Sequence, residues 1–252
     1  MKFLLLISAL LTIAFTTLVS IPDSPYLIGG MTQADISNMY PTAITPAGVT
    51  FAIWSVIYLS WIIAGLVIAQ APLTFMTRKF FPKLSKSLSN IRIEKKVILS
   101  FSLAMALTGV WLIPWGYQWI GTALVVMLII LGILKYAFYH SRTSHIVVRS
   151  SVELTIGWIN IATVANITIW LVSIGFTGGG VSEIYWAIGV LGLALLLTAY
   201  YQCRYRAYIV SLVFLWTMLG EWIAHPVLEQ RVAVSIFALV TIVNMVYSYM
   251  RK

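Results

Sequence analysis

Residues 48–69 read GVTFAIWSVIYLSWIIAGLVIA, 22 positions without one charged side chain. Wound as a helix rising ~1.5 Å per residue, such a run crosses the ~30 Å hydrocarbon core of a bilayer. Seven further apolar blocks stand beside it, at about 3–19, 97–115, 121–139, 152–174, 184–201, 207–222 and 232–249. Together they predict an all-α, polytopic transmembrane bundle of about eight helices.

Composition excludes the alternatives. Of the 252 residues 61% are hydrophobic and 9% charged, with a mean hydropathy of +0.96, where a soluble domain carries about 25% charged residues. A transmembrane β-barrel would show alternating segments of ~10 residues, and none occur. Proline punctuates the same boundaries: Pro22, Pro25, Pro41, Pro46, Pro72, Pro82 and Pro226 fall in loops or at helix starts, and Pro114 lies near a helix end. The first block reads either as a cleaved signal peptide or as a retained helix. Its length, about 17 residues, and the lack of a small-x-small cleavage site favour the retained helix.

Alternating eight spans places Lys2, the 78–96 loop, Lys135, Arg142, Arg149, Arg204, Arg206, Arg251 and Lys252 on one side, and only Arg231 on the other. By the positive-inside rule that side is the cytoplasm, with both termini in it, in a multi-pass protein of the cell membrane. Asp23, Asp35, Glu183, Glu221 and Glu229 lie on or near the opposite face. The net charge of +9 therefore has an explanation without a nucleic-acid partner, for which no motif is present. The basic loop, with Arg78, Lys79, Lys83, Lys86, Arg92, Lys95 and Lys96 among Phe80, Phe81 and Leu84, either fixes topology only or also grips anionic lipid head groups.

Catalytic and metal chemistry find little material. The single Cys203 has no partner for a disulfide, and His140, His145 and His225 neither share a side nor stand at metal-ligand spacing. No catalytic residue, metal or cofactor is expected. The Gly178-Gly179-Gly180 run lacks the Lys-Ser/Thr of a phosphate loop and reads as an interhelical turn. Glu153, at the start of the fifth span, reads either as a first-turn complement to the helix dipole or as part of a proton or ion path.

Polar and aromatic residues gather on two spans. In the fifth, Trp158, Asn160, Thr163 and Asn166 interrupt an apolar stretch and must face protein or a cavity. Trp158, Ala162 and Asn166 stand at i, i+4, i+8 and line one face, as helix-packing surface or as ligand wall. In the second, Trp54, Tyr58 and Trp61 form a stripe at i, i+4, i+7, and the third adds Trp111. Trp115, Trp119, Trp186 and Trp222, at span ends, read as interfacial belt residues.

These stripes carry a resemblance. Pro46-Ala47-Gly48-Val49-Thr50-Phe51-Ala52-Ile53-Trp54-Ser55-Val56-Ile57-Tyr58 resembles the second-helix signature of the TspO/MBR family, the tryptophan-rich sensory or translocator proteins. Trp158-Ile159-Asn160-Ile161-Ala162-Thr163-Val164-Ala165-Asn166 is similar to its fifth-helix signature, and Trp111 matches a third-helix tryptophan. Gly48, Thr108 and Leu154 depart from the family pattern, where many members have Trp, Asn and Pro. The resemblance covers about residues 1–175, a five-helix bundle, and leaves three additional helices over 176–252, as in a longer bacterial branch.

What the resemblance implies is a pocket capped by the loop between the first two helices. Its ligand would be a flat hydrophobic molecule, porphyrin-like, sterol-like or a lipid. Pro46, Trp54, Tyr58, Trp111, Trp158 and Ala162 would then wall the ligand, Thr163 and Asn166 would orient it, and residues 23–45 would form the lid. Expected partners are that small molecule and membrane lipids, with a homodimer left open. The alternative is a transporter or flippase of small apolar or amphipathic molecules. A membrane enzyme is not expected, because the spans offer no convergent acid and base.

Overall fold

The computed structural model describes residues 1–69 and 93–251. Among them are nine α-helices and no strand: α1 Leu4–Leu18, α2 Gln33–Met39, α3 Ile53–Ala69, α4 Lys95–Gly116, α5 Ile120–Ser141, α6 Ile146–Ser173, α7 Glu183–Tyr205, α8 Tyr208–Ala224 and α9 Leu228–Met250. The eight expected spans are the eight long helices, and α2 is an extra short one in the first loop. A 3-10 turn, Gly48–Ala52, runs directly into α3. Six helices are long and apolar enough to cross a membrane, counting that turn with α3. The other two, α1 and α8, are apolar but only 15 and 17 residues long.

One boundary changes the reading of a residue. His145 accepts the Val147 N–H through Nδ1 and caps α6, so the helix starts at Ile146 and not near 152. Glu153 therefore lies in the third turn, too far from the N-terminus to serve the dipole. Its carboxylate is held instead by two guanidinium groups: Oε1 is 2.6 Å from Arg142 Nη1 and 2.8 Å from Arg149 Nε. Arg142 also donates to the Tyr205 carbonyl and lies over the Phe138 ring, which fastens the ends of α5, α6 and α7 together.

Helices α1, α3, α4, α5 and α6 pack around one apolar core, with α1 against α3 and α4 and with α4, α5 and α6 in succession. Small residues set the close crossings. A Cβ on Gly65 would come within 2.7 Å of the Leu6 backbone, and one on Gly157 within 3.2 Å of Val213, where α8 crosses α6. Tyr201, Ala207, Val210 and Val213 extend this core into the C-terminal helices. A second cluster joins α7, α8 and α9 through Leu191, Ala194, Phe214, Met218 and Val234, and takes in Ile44 from the first loop. Outward-facing Leu196, Leu219, Leu239 and Val243 leave a flank that suits hydrocarbon.

The ends of the bundle differ in charge. Lys2, Lys95, Lys96, Lys135, Arg142, Arg149, Arg204, Arg206 and Arg251 gather at the basic end, where Arg206 donates to the Arg251 carbonyl. Asp23, Asp35, Glu183, Glu221 and Glu229 lie at the other, the loop end, with Arg231. Pro72, Phe80, Phe81, Pro82 and Leu84, with the cations Arg78, Lys79, Lys83, Lys86 and Arg92 of the basic loop, lie outside the described residues.

Candidate functional site: an aromatic cluster beneath an anchored loop

The apolar stripes of α3 and α6 face each other and bring their rings into one chain. Trp54 lies 5.5 Å from Tyr58 and 6.3 Å from Trp158, the indole planes nearly perpendicular. The Phe51 and Trp158 rings stand perpendicular with centroids 5.8 Å apart, and Tyr58 continues to Trp61 at 5.3 Å. Such edge-to-face packing matches the quadrupoles of the rings. Trp158 is buried, while Trp54 and Tyr58 are half-buried. Trp61 is fixed from behind by its Nε1–H, which donates to Thr155 Oγ1 at 2.9 Å.

Trp111 stands apart from this chain of rings. It stacks on Trp115 at 4.9 Å and packs against both the main core and a third cluster formed by Ile36, Trp115, Ile120, Ala123 and Ile169. Trp115 is accordingly only 3% exposed, a core residue and not a belt residue as its position at a span end suggests. The short loop helix α2 presses Ile36 onto it. Trp119, Trp186 and Trp222 are exposed, as belt residues should be.

The polar side chains of α6 are only partly satisfied. Thr163 donates to the Ile159 carbonyl at 2.7 Å, and Asn166 Nδ2 to the Ala162 carbonyl at 2.8 Å, so both donors turn back onto their own helix. While the Asn160 amide, on another face of the helix, is turned to the Tyr201 hydroxyl of α7, Asn166 Oδ1 and the Trp158 indole N–H are buried and find no partner among the described residues. Each such group costs on the order of 1–3 kcal/mol until something bonds it. Ala162 is half-buried and packs against the main core.

Above this cluster runs the segment between α1 and α3, anchored at two places. Its front half packs on the ends of α4, α5 and α6. Gly29, at φ +70°, lies so close to the Gly116 carbonyl that no Cβ would fit. Its rear half is fastened to the C-terminal helices. The Gln230 amide donates to the Ala43 carbonyl at 2.6 Å, His225 Nε2 meets the Thr45 carbonyl at 3.1 Å, and the Ala47 N–H donates to the Gly220 carbonyl at 3.1 Å. The Trp216 indole N–H closes the row on the Thr50 carbonyl at 2.8 Å. Pro46 sits inside this row, between two fastened residues.

Trp216, Gly220, His225 and Gln230 were not among the expected site residues. Nothing in the sequence pairs them with residues some 170–190 positions earlier, because each bonds a backbone group that every residue type carries. Phe51 was within reach, since it lies inside the quoted motif. No group of three His, Cys, Asp or Glu able to hold a metal occurs among the described residues. Cys203 is exposed beside Arg204 at the basic end of α7.

A protein-family model described as TSPO-like protein matches the chain over residues 2–250, including the three C-terminal helices. No curated protein and no solved structure matches it.

Proposed function

This chain belongs to the TSPO-like protein family, and we propose that it binds or senses a flat hydrophobic ligand, porphyrin-like or sterol-like, at the aromatic cluster of α3 and α6. The family and the long apolar helices make it a multi-pass integral membrane protein. The observation that carries the ligand reading is Trp158. Its ring meets Phe51 and Trp54 edge-on while its buried N–H has no partner, and Asn166 Oδ1, two turns on, is unpaired as well. A planar ligand would lie against these rings and bond the Trp158 indole N–H and Asn166 Oδ1. On this reading residues 1–175 hold the ligand, and the helices over 176–252 hold the loop above it.

The test is a porphyrin titration in detergent, read by tryptophan quenching. Saturable quenching is expected, with Trp158→Leu and Asn166→Ala each weakening the midpoint about fivefold, equivalent to about 1 kcal/mol. Trp186→Leu, at the bundle surface, should leave the midpoint unchanged. If the wild type and both cluster variants remain folded and titrate identically, the ring is only dissolved in detergent. The transporter reading then takes precedence.

The proposal includes a cytoplasmic basic end in the cell membrane, with both termini there. Cys203 tests it: a membrane-impermeant maleimide should label inverted vesicles and not intact spheroplasts. Labelling of spheroplasts alone would reverse the orientation.

A further inference from the structure

The last turn of α8 buries an acid that the aromatic cluster does not use. Glu221 is 1% exposed, on the helix face that carries Phe214 and Met218 into the cluster of α7, α8 and α9. Its Oε2 finds no hydrogen-bond partner among the described residues. Taking an ionised carboxylate out of water with no donor to answer it is strongly unfavourable.

One turn on stands His225, with Nε2 3.5 Å from Glu221 Oε2 and 3.1 Å from the Thr45 carbonyl of the loop. A peptide carbonyl only accepts, so Nε2 holds the hydrogen and donates it to Thr45. The imidazole therefore touches the acid on one side and fastens the rear half of the loop on the other. Two proton arrangements suit this closed geometry, neutral acid beside neutral imidazole and carboxylate beside imidazolium, and both contain the same one proton. Removing it leaves a buried carboxylate beside a neutral ring. The remaining Nε2–H can then serve that carboxylate only by leaving Thr45.

No neighbouring charge takes over this role. From α9 come Glu229 and Arg231, and Arg231 Nε is already bonded to the Trp222 and His225 carbonyls, its guanidinium over the Trp222 ring. From α7 come Glu183 and Tyr185, and from the loop Asp23, Tyr26, Tyr40 and Asp35, the last bonded to Thr32. The 3-10 turn and the loop-end half of α6 carry no ionisable group. Among the described residues His225 is the one ion-pair partner of Glu221.

We propose that Glu221 and His225 form a proton-binding site that latches the loop, closed while the pair holds one proton and released when that proton is lost. Closing retains a proton that opening gives up to water. The closed state is therefore fully favoured at low pH and loses ground as pH rises, by at most about tenfold per pH unit for a single proton. Only its consequence, a cover over the aromatic cluster that loosens in alkali, rests on the ligand reading. The latch itself is tested with no ligand present.

The experiment is limited proteolysis of the full chain by proteinase K in detergent, from pH 6 to pH 9. Each rate is divided by that of a free peptide of the same stretch, so that the protease's own pH dependence cancels. Cleavage over residues 41–52 should rise at least tenfold, while cleavage over 20–40, which the pair does not hold, should stay level. Glu221→Gln and Glu221→Met, neither of which can ionise, should each flatten the rise. Gel filtration and helical circular dichroism show which variants fold, and the comparison of the two stretches in wild type stays decisive if neither does. A level wild-type profile over 41–52, an equal rise in both stretches, or a folded Glu221 variant that keeps the rise would overturn the proposal. A porphyrin titration that fails while the pH profile appears removes the ligand reading and leaves the latch standing.

Discussion

The two halves of the segment joining α1 to α3 are held by different physics. In the front half the contacts are steric: Gly29 touches the Gly116 backbone, Ile28 lies where a Gly116 Cβ would be, and Ile36 is fully buried against Trp115 and its neighbours. Its polar contacts are slight: the reciprocal bonds of Thr32 and Asp35 that cap α2, a bond from the Tyr26 N–H to Ser24 Oγ, and a 3.6 Å contact from the Gln118 amide to the Met31 sulfur. In the rear half the anchors are hydrogen bonds from Trp216, His225 and Gln230 to backbone carbonyls, with one from Ala47 to Gly220. Shape places the first half on α4–α6. Donor chemistry places the second on α8 and α9, and so the C-terminal helices fix Phe51 over Trp158.

The contrast makes graded predictions, all read in detergent by thermal unfolding and by limited proteolysis of the segment. Gly29→Val should have the largest effect, because it adds a β-branched side chain at positive φ and drives a Cβ into the Gly116 carbonyl. A loss of about 3 kcal/mol or more is expected, from backbone strain and overpacking together. New cleavage should appear over residues 20–40 before 41–52. Simultaneous exposure of both stretches would mean the halves are one unit.

Gly220→Ala comes next. Its Cβ would overlap Thr50 Oγ1 and stand 3.0 Å from Thr50 Cβ, but a side chain yields more readily than a carbonyl, so about 2 kcal/mol is expected. Cleavage should move to 41–52. Gln230→Ala removes one amide from the Ala43 carbonyl and should cost about 1 kcal/mol, opening residues 41–47 only. If it leaves cleavage there unchanged, the hydrogen-bond account of the rear half fails.

The smallest effect is acid-dependent. Hydrogen bonds from the Thr32 side chain and backbone hold the Asp35 carboxyl below its ordinary 3.8. Because the folded value is depressed, the stabilisation is present above the ordinary value and fades as pH falls through the lower one. Pepsin should therefore nick residues 32–39 faster as the pH drops below about 4. Asp35→Asn should remove that dependence, and an unaltered pH profile would refute the capping account.

Much of the fold was legible in the chain. Helix spans were readable because a stretch that crosses hydrocarbon must satisfy its backbone internally and show apolar side chains all round. The meeting of Trp54, Tyr58 and Trp158 was readable because residues at helical spacing share a face. The burial of Trp115 was not, since position in a span says nothing of rotation about the helix axis. The role of Glu153 depended on where α6 begins, which His145 decides by one capping bond.

By itself, then, the sequence determined the order of the long apolar helices, the collection of cations at one end and the aromatic faces of α3 and α6. Solvation by hydrocarbon and helical periodicity act locally and leave a mark on residue type. Only the tertiary structure decided that Trp111 stacks on Trp115, that the loop is fastened by α8 and α9, and that His225 stands between Glu221 and the Thr45 carbonyl. Those outcomes rest on close backbone approach and on hydrogen bonds to peptide carbonyls. Glycine aside, neither prescribes which residues must stand at the partner position.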